Sequence, residues 1–127
     1  MRILGIDFGL SKIGLAVMET GLARPLIVLK HSPDLIDKIF AICQENQIEK
    51  IVVGLPEGKM VKQVKSFTRQ LTRQISLPIV FQDETLTTKE AIAKMIVAGK
   101  KRKVRQEKKD AFAAAVILQK YLEETDV

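Results

Sequence analysis

The sequence predicts an α/β fold in which a five-stranded mixed sheet, three antiparallel strands followed by two parallel ones, carries helices on both faces. Three apolar runs crowd into the first 29 residues, too close together for helical crossovers, and therefore predict an antiparallel meander. Two later apolar runs alternate with helical stripes and predict parallel strands joined by crossover helices. The 127 residues include 46% hydrophobic and 28% charged residues, which is typical of one globular domain spanning 1–127.

The antiparallel part of the sheet is predicted from residues 2–8, 13–18 and 26–29. A Gly-Leu-Ser-Lys turn separates the first two runs, and Gly21 and Pro25 bracket the turn before the third. Connections this short join antiparallel neighbours, because a parallel pair needs a crossover of roughly a dozen residues.

Two helical stripes flank a bare apolar strand in the middle of the chain. Ser32 and Pro33 predict a helix start, with serine as the N-cap and proline at the first helical position. The strand at 50–55 (KIVVGL) has no polar side chain after its lysine, as expected of a central strand buried on both faces. The stripes place apolar residues at three- and four-residue spacing: Leu35, Ile36, Ile39, Phe40 and Cys43 in the first, and Met60, Val64, Phe67, Leu71 and Ile75 in the second.

The last strand is predicted at 77–81, and two further helices follow it. Thr87 and Glu90 form a capping box for the first of these helices, which Gly99 closes. Residues 110–122 (DAFAAAVILQKYL) are rich in alanine and apolar over most of the helical circumference, which favours close packing against a sheet.

The positive charge of the chain is concentrated in one segment. Twenty-one Lys and Arg residues oppose fifteen Asp and Glu, a net charge of +6. Residues 100–109 (KKRKVRQEKK) hold seven of the basic residues and one acid, so the rest of the chain is neutral. Such a segment attracts phosphate backbones, which favours nucleic acid as the partner over a solvated basic loop or a membrane. The predicted contacts are Lys100, Lys101, Arg102, Lys103, Arg105, Lys108 and Lys109.

Composition restricts the chemistry available to this chain. Cys43 is the only cysteine and His31 the only histidine, which argues against a disulfide, a cysteine-rich zinc site and a histidine-based catalytic triad. We expect Cys43 in the core and His31 at the surface. No apolar run is long enough to span a membrane and no signal-peptide pattern opens the chain, so a cytoplasmic location is expected. Catalytic groups must therefore be carboxylates, hydroxyls or amines.

Three acids stand in apolar surroundings, unlike the others on polar faces. Asp7 lies within the first strand, Glu84 follows the last strand, and Asp110 opens the alanine-rich helix. A carboxylate in a buried strand is costly unless it is paired, hydrogen-bonded or bound to a metal. If the strand order brings these acids together, a cation must offset their repulsion, and hard oxygen ligands select Mg²⁺ or Mn²⁺. Two such ions about 4 Å apart can bind a phosphodiester and activate water.

Each of these acids also has a purely structural interpretation. Asp7 could accept hydrogen bonds from the backbone of the turn that follows it. Glu84 could interact with the positive end of the next helix, and Asp110 could serve only as an acid in a first helical turn. Taken singly, none of them identifies an active site.

Four segments occur in a distinctive order along the chain: GIDFG with IGLAV at 5–17, IVVGLP at 51–56, DET-x-TT at 83–88 and KKDAFAAAVILQKYL at 108–122. Together they resemble the YqgF or RuvX family over nearly the whole sequence. The resemblance implies a ribonuclease H-like fold. It also implies that Asp7, Glu84 and Asp110 are the catalytic acidic triad that binds the metal.

The resemblance further implies a metal-dependent endonuclease that processes the 5′ end of pre-16S ribosomal RNA, with Mg²⁺ or Mn²⁺ as cofactor. Resolution of four-way Holliday junctions in DNA is the alternative activity. Structured RNA is the favoured partner, ribosomal precursor particles are a further one, and the chain is expected to be a monomer or a homodimer. A non-catalytic RNA- or ribosome-binding module with the same fold is the rival from another functional class.

The chain departs from the family pattern near the predicted site. Ser11 and Lys12 stand where the family usually has two basic residues, and we expect both to contact nucleic acid. Thr85 replaces the arginine that usually follows the acid at Glu84, and the loop after Pro56 is shorter than usual. The shortened loop and Thr85 are the features that favour the non-catalytic alternative.

Overall fold

The computed structural model describes residues 1–83 and 109–125. Its strands are β1 (Ile3–Phe8), β2 (Lys12–Met18), β3 (Ala23–Lys30), β4 (Lys50–Leu55) and β5 (Ile79–Asp83). Its helices are α1 (Leu35–Glu45), α2 (Met60–Gln74) and α3 (Lys109–Thr125). Within these ranges no helix is long and apolar enough to cross a membrane. The helix predicted between Thr87 and Gly99 lies outside the described residues.

The five strands form one mixed sheet in the order β3-β2-β1-β4-β5. The pairs β1–β2 and β2–β3 are antiparallel, and the pairs β1–β4 and β4–β5 are parallel. Tight connections produce the antiparallel pairs, whereas α1 and α2 carry the chain back across the sheet for the parallel ones. The predicted arrangement of three antiparallel and two parallel strands is therefore confirmed.

The sheet separates two apolar cores, because successive side chains of a strand point to opposite faces. Leu4 and Ile6 of β1 belong to the core that α1 and α2 cover, whereas Ile3 belongs to the core that α3 covers. Most residues of the two helical stripes predicted from the sequence are buried in the first core, including Cys43. Phe40 of the first stripe is the exception to the prediction on α1, since its side chain is 41% exposed at the edge of the stripe, and Met60 of the second stripe lies outside this core. Helices cover both faces, as predicted.

Helix α3 lies unusually close to the sheet, as its alanine content predicts. A Cβ atom added to Gly5 would lie 3.0 Å from the carbonyl oxygen of Ala114 and 3.0 Å from Cβ of Leu118. Glycine on the strand and alanine on the helix thus let the two backbones approach. Further along α3, the hydroxyl of Tyr121 accepts a hydrogen bond of 2.5 Å from Lys50 of β4, and this bond connects the helix to the strand.

The turn predicted to end at Pro25 is wrong, because β3 begins at Ala23 and contains the proline. Pro25 pairs with Ala16 immediately after an irregularity in the β2–β3 register between Leu15 and Ala16. An edge strand tolerates proline, and a bulge relieves the missing ladder hydrogen bond. The strand predicted at 77–81 is also displaced, since β5 covers Ile79–Asp83.

The predicted helix start at Ser32 and Pro33 is wrong as well. Helix α1 begins at Leu35 with Asp34 as N-cap, and no side chain caps it. The Ser32 hydroxyl donates a hydrogen bond of 2.5 Å to Asp34 instead, which lowers the pKa of that carboxyl. The Ser-Pro pair forms a turn before the helix, in which the Ser32 carbonyl accepts a hydrogen bond from the Leu35 amide.

Burial of Cys43 predicts an unreactive thiol. The side chain is 5% exposed, and desolvation raises its pKa to about 11. At pH 8 the thiolate fraction should therefore be about a hundredfold or more below that of a free cysteine. Native protein should react with a chromogenic disulfide reagent correspondingly slowly and become fully reactive in denaturant. Rapid labelling of the native protein would contradict this burial.

Candidate active site

The carboxyl ends of β1, β4 and β5 meet at one edge of the sheet because these strands run parallel. Ile6 pairs with Val53, and Leu55 at the end of β4 pairs with Asp83 at the end of β5. In open α/β sheets, ligands bind outside the carboxyl ends of the strands. This edge is therefore the place where polar residues with a functional role are expected.

Asp7 is the next-to-last residue of β1 and lies at this edge. Strand alternation puts its side chain on the α3 face, together with Ile3 and Gly5, and the residue is half-buried. Its partner across the β1–β2 pair is Gly14, which has no side chain. On the other side, Gly54 follows the residue that pairs with Ile6. Glycines on the two neighbouring strands thus place no side chain beside Asp7 at these positions.

Gly14 also positions the start of α3. A Cβ atom at Gly14 would overlap the carbonyl carbon and oxygen of Asp110 and would lie 2.6 Å from the amide nitrogen of Ala111. The helix backbone therefore rests directly on β2 at the residue that pairs with Asp7. Asp7 and Asp110, more than a hundred residues apart in sequence, consequently flank one glycine on one face of the sheet.

Lys12 adds a positive charge to this pair of acids. Its Nζ lies 3.6 Å from Oδ2 of Asp110, and the two side chains are 48% and 25% exposed. An ion pair with this exposure contributes little to stability, about 0–1 kcal/mol, because water competes for both partners. Lys12 can therefore exchange the carboxylate for another anion at small cost.

The hairpin between β1 and β2 is held in place by backbone contacts and by His31. The Gly9 amide donates to the Lys12 carbonyl at 3.0 Å, and a Cβ atom at Gly9 would lie 2.7 Å from that oxygen. The His31 Nε2 is 2.6 Å from the Gly9 carbonyl oxygen, and its ring lies edge-on to Phe8 at 5.2 Å between centroids. His31 is exposed, as predicted, yet it stabilises the loop beside Asp7.

Part of the predicted site lies in the described structure. Asp7 and Asp110 are brought together, while Ser11, Lys12 and Lys109 are exposed near them at the hairpin and at the start of α3. Glu84 lies outside the described residues, as do Lys100, Lys101, Arg102, Lys103, Arg105 and Lys108. Residues 1–83 and 109–125 include two of the three predicted acids, Asp7 and Asp110. These ranges contain no group of three or more potential metal ligands.

Gly14 and His31 are the contributors that the sequence analysis did not identify. The short hairpin predicts that Gly14 pairs with Asp7, but it does not predict that the backbone of Asp110 lies against this glycine. The contact of His31 with Gly9 joins residues 22 positions apart and has no local pattern.

The donor chemistry at this edge fits a hard divalent cation. Asp7 and Asp110 provide carboxylate oxygens, the ligands that Mg²⁺ and Mn²⁺ prefer. Both residues are half-buried, so a bound cation would be only partly hydrated by bulk water. Among the described residues, the Cys43 thiol is buried in the core on the opposite face of the sheet, and the His31 ring contacts Phe8 and the Gly9 carbonyl.

Relatives of this chain are similar over almost their full length. A protein of Syntrophus aciditrophicus (strain SB) is 35% identical over 133 residues, covering 97% of this chain and 89% of the relative. A protein of Listeria innocua serovar 6a is 35% identical over 138 residues, covering 99% of this chain and 100% of the relative. Both carry the name "Putative pre-16S rRNA nuclease".

Solved structures share the fold. RuvC of T. thermophilus in complex with a Holliday junction substrate has a TM-score of 0.63 at 19% identity, over 98% of this chain and 96% of that one. Fowlpox virus resolvase with Holliday junction DNA has a TM-score of 0.67 at 10% identity, over 98% and 99%. These similarities confirm the ribonuclease H-like fold that the motifs implied.

The family comparison agrees with the relatives and covers nearly all of the sequence. The family model described as "RuvX: Holliday junction resolvase" matches residues 1–124. Together with relatives 35% identical over nearly the full length, this match shows that the chain belongs to the RuvX family.

Proposed function

We propose that this chain is a metal-dependent endonuclease that hydrolyses phosphodiester bonds, with the 5′ end of pre-16S ribosomal RNA as its substrate. The observation that carries the proposal is the meeting of Asp7 and Asp110 across Gly14 at the carboxyl edge of the sheet. Membership of the RuvX family and the name shared by its relatives support nuclease activity. The RNA substrate follows the relatives' name.

Asp7, Glu84 and Asp110 are the residues we propose as ligands of Mg²⁺ or Mn²⁺. In the sequence Glu84 directly follows Asp83, and Asp83 ends β5 at the same sheet edge as the end of β1. A divalent ion, when bound, supplies Lewis-acid stabilisation of the charge that develops on the scissile phosphate. A cation bound between the carboxylates would offset the repulsion of like charges that lie close together.

Lys12 and Ser11 act on the substrate rather than on the metal in this proposal. The exposed ion pair of Lys12 with Asp110 is weak, so a phosphate can replace the carboxylate as its partner. Ser11 is exposed one residue before Lys12 and offers a hydroxyl donor for a backbone oxygen. Both side chains would orient the nucleic-acid backbone at the edge where Asp7 lies.

We further propose that residues 1–127 form one nuclease domain that acts in the cytoplasm on ribosomal precursor particles, as a monomer or a homodimer. Structured RNA contacts the basic segment 100–109, of which Lys109 is the described part. This segment would bring seven cations close to Asp110. They would replace the positive charge that is missing because Thr85 stands where the family usually has an arginine.

Neutralising four cations of the basic segment should flatten the salt dependence of RNA binding. The slope of log K against log salt should fall in magnitude by up to about 3, since each phosphate contact on a single strand contributes roughly 0.7. Fluorescence anisotropy of labelled RNA measures this slope. An unchanged slope would contradict the role of the segment. The variant combines Lys100→Gln, Lys101→Gln, Arg102→Gln and Lys103→Gln, and the control combines Lys38→Gln and Lys120→Gln.

A cleavage assay tests the proposed function and separates it from its rivals. Purified protein is incubated with labelled pre-16S RNA or with a four-way DNA junction, each with Mn²⁺, Mg²⁺ or EDTA. Cleavage of the RNA that EDTA abolishes supports the proposal. Cleavage of the junction alone would show that DNA is the substrate. The family description and the fold shared with junction-bound resolvases make the junction the alternative substrate to test. Tight RNA binding without cleavage would identify a binding module.

A further inference from the structure

Helix α2 carries a continuous stripe of positive charge. The helix contains four cations and no acid, and Lys62, Lys65, Arg69 and Arg73 are all exposed. Their spacing of three or four residues puts them on one side of the helix. None of them forms an ion pair within the described part of the chain. The stripe is therefore a row of exposed cations that have no ion-pair partner among residues 1–83 and 109–125.

An exposed aromatic ring lies beside this stripe. Phe81 of β5 is 40% exposed and lines a groove of about 420 Å³ with Lys65, Arg69 and Arg73. The groove also contains the hydroxyl-bearing side chains of Thr68 and Thr72, although both hydroxyls donate to carbonyls of α2. The ring of Phe81 makes no aromatic or cation–π contact with the other described residues.

Lys65, Arg69 and Arg73 follow one another at four-residue intervals along the helix. Four residues of an α-helix rise about 6 Å, a spacing comparable to that of successive phosphates on one nucleic-acid strand. A flat hydrophobic ring beside a row of cations is the combination that binds single strands, because bases stack on the ring while the cations contact the backbone. A lone exposed phenylalanine provides for one base and is not a platform for several.

We propose that the groove formed by Lys65, Arg69, Arg73 and Phe81 binds a single-stranded segment of nucleic acid, with its phosphates on the three cations and one base stacked on Phe81. The groove lies on the sheet face covered by α2, opposite the face on which Asp7 and Asp110 meet. It would therefore hold a flank of the substrate away from the scissile bond. This inference rests on the proposed function, since the strand it binds belongs to the nuclease substrate.

The electrostatic part is tested by combining Arg69→Gln with Arg73→Gln in an Asp7→Asn background, so that binding is measured without cleavage. The slope of log K against log salt for a single-stranded oligonucleotide should fall in magnitude by about 1.4. The control carries Lys38→Gln and Lys120→Gln, which change the net charge equally, and should retain the slope. Equal slopes in the two double variants would overturn the proposal. Failure of the parent to bind any RNA would instead reject the proposed function.

The stacking part is tested with a tryptophan reporter, because the chain contains no tryptophan. Phe81→Trp should show fluorescence quenching when a single-stranded oligonucleotide binds, and much less with a blunt duplex. Phe40→Trp is the matched control, since Phe40 is 41% exposed on α1 and has no cation among the groove residues around it. Quenching only at position 81 supports the proposal, whereas equal responses at both positions overturn it. Circular dichroism shows whether each variant is folded. If Phe81→Trp does not fold, the salt dependence of the arginine variants still tests whether the groove binds the strand.

Discussion

Asp7→Asn is expected to reduce metal-dependent cleavage of pre-16S RNA by at least about a hundredfold. Loss of a residue that only supports a metal ligand typically costs about 10- to 100-fold, so loss of a ligand itself should reach the upper end or exceed it. Asparagine preserves the size of the side chain but removes the negative charge that would hold Mg²⁺ or Mn²⁺. Single-turnover cleavage of end-labelled RNA at saturating protein measures the effect.

The matched control for this variant is Glu45→Gln. Glu45 is exposed at the end of α1 and also loses one negative charge on substitution, so its cleavage rate should remain within about twofold of the wild type. Thermal unfolding separates a loss of chemistry from a loss of structure. Full activity of Asp7→Asn in Mg²⁺ would remove this carboxylate from the proposed metal site.

Gly14→Ala is expected to destabilise the protein by about 3 kcal/mol or more and to abolish cleavage. The new methyl group would overlap the backbone of Asp110 and would lie 2.6 Å from the amide nitrogen of Ala111. Overpacking normally costs about 1–3 kcal/mol, and here the obstacle is backbone, which cannot move by changing a rotamer. The start of α3 must shift away from β2, and Asp110 shifts with it. Urea denaturation measures the stability.

Gly5→Ala is the graded control for this prediction. It adds the same methyl group under the same helix, but at 3.0 Å from the carbonyl oxygen of Ala114 and from Cβ of Leu118, without the overlap found at Gly14. Contacts at this distance need the helix to move by only a few tenths of an ångström, so we expect Gly5→Ala to cost about 1 kcal/mol and to retain most of the activity. If Gly14→Ala loses no more stability and no more cleavage activity than Gly5→Ala, the close contact between β2 and α3 is not essential for the site.

The sheet could be predicted from the sequence because its topology follows from connection lengths. The run 50–55 has no polar residue after Lys50, which is expected only of a central strand, and β4 indeed pairs on both sides. Local patterns failed where tertiary contacts compete with them. Pro25 is accommodated within β3 because that strand lies at the sheet edge and its register shifts beside the proline. The turn propensity of proline contains no information about either feature.

The candidate site was predictable as residue types but not as geometry. An acid inside an apolar strand singled out Asp7, and an acid that opens an alanine-rich helix singled out Asp110; the resemblance to the RuvX family implied the same role for both. Their proximity depends on Gly14, whose missing side chain admits the helix backbone. That is a contact between residues nearly a hundred positions apart, and no periodicity in the sequence encodes it. The brace from His31 to Gly9 is non-local for the same reason.

Crystals of the wild-type protein grown with Mn²⁺ and measured at the manganese absorption edge would show whether a metal binds between Asp7 and Asp110. We expect an anomalous peak in contact with carboxylate oxygens of both residues, with Glu84 completing the ligand set, and no such peak in crystals of Asp7→Asn. Carboxylates of Asp7 and Asp110 directed away from one another, with no anomalous density between them in the wild type, would contradict it.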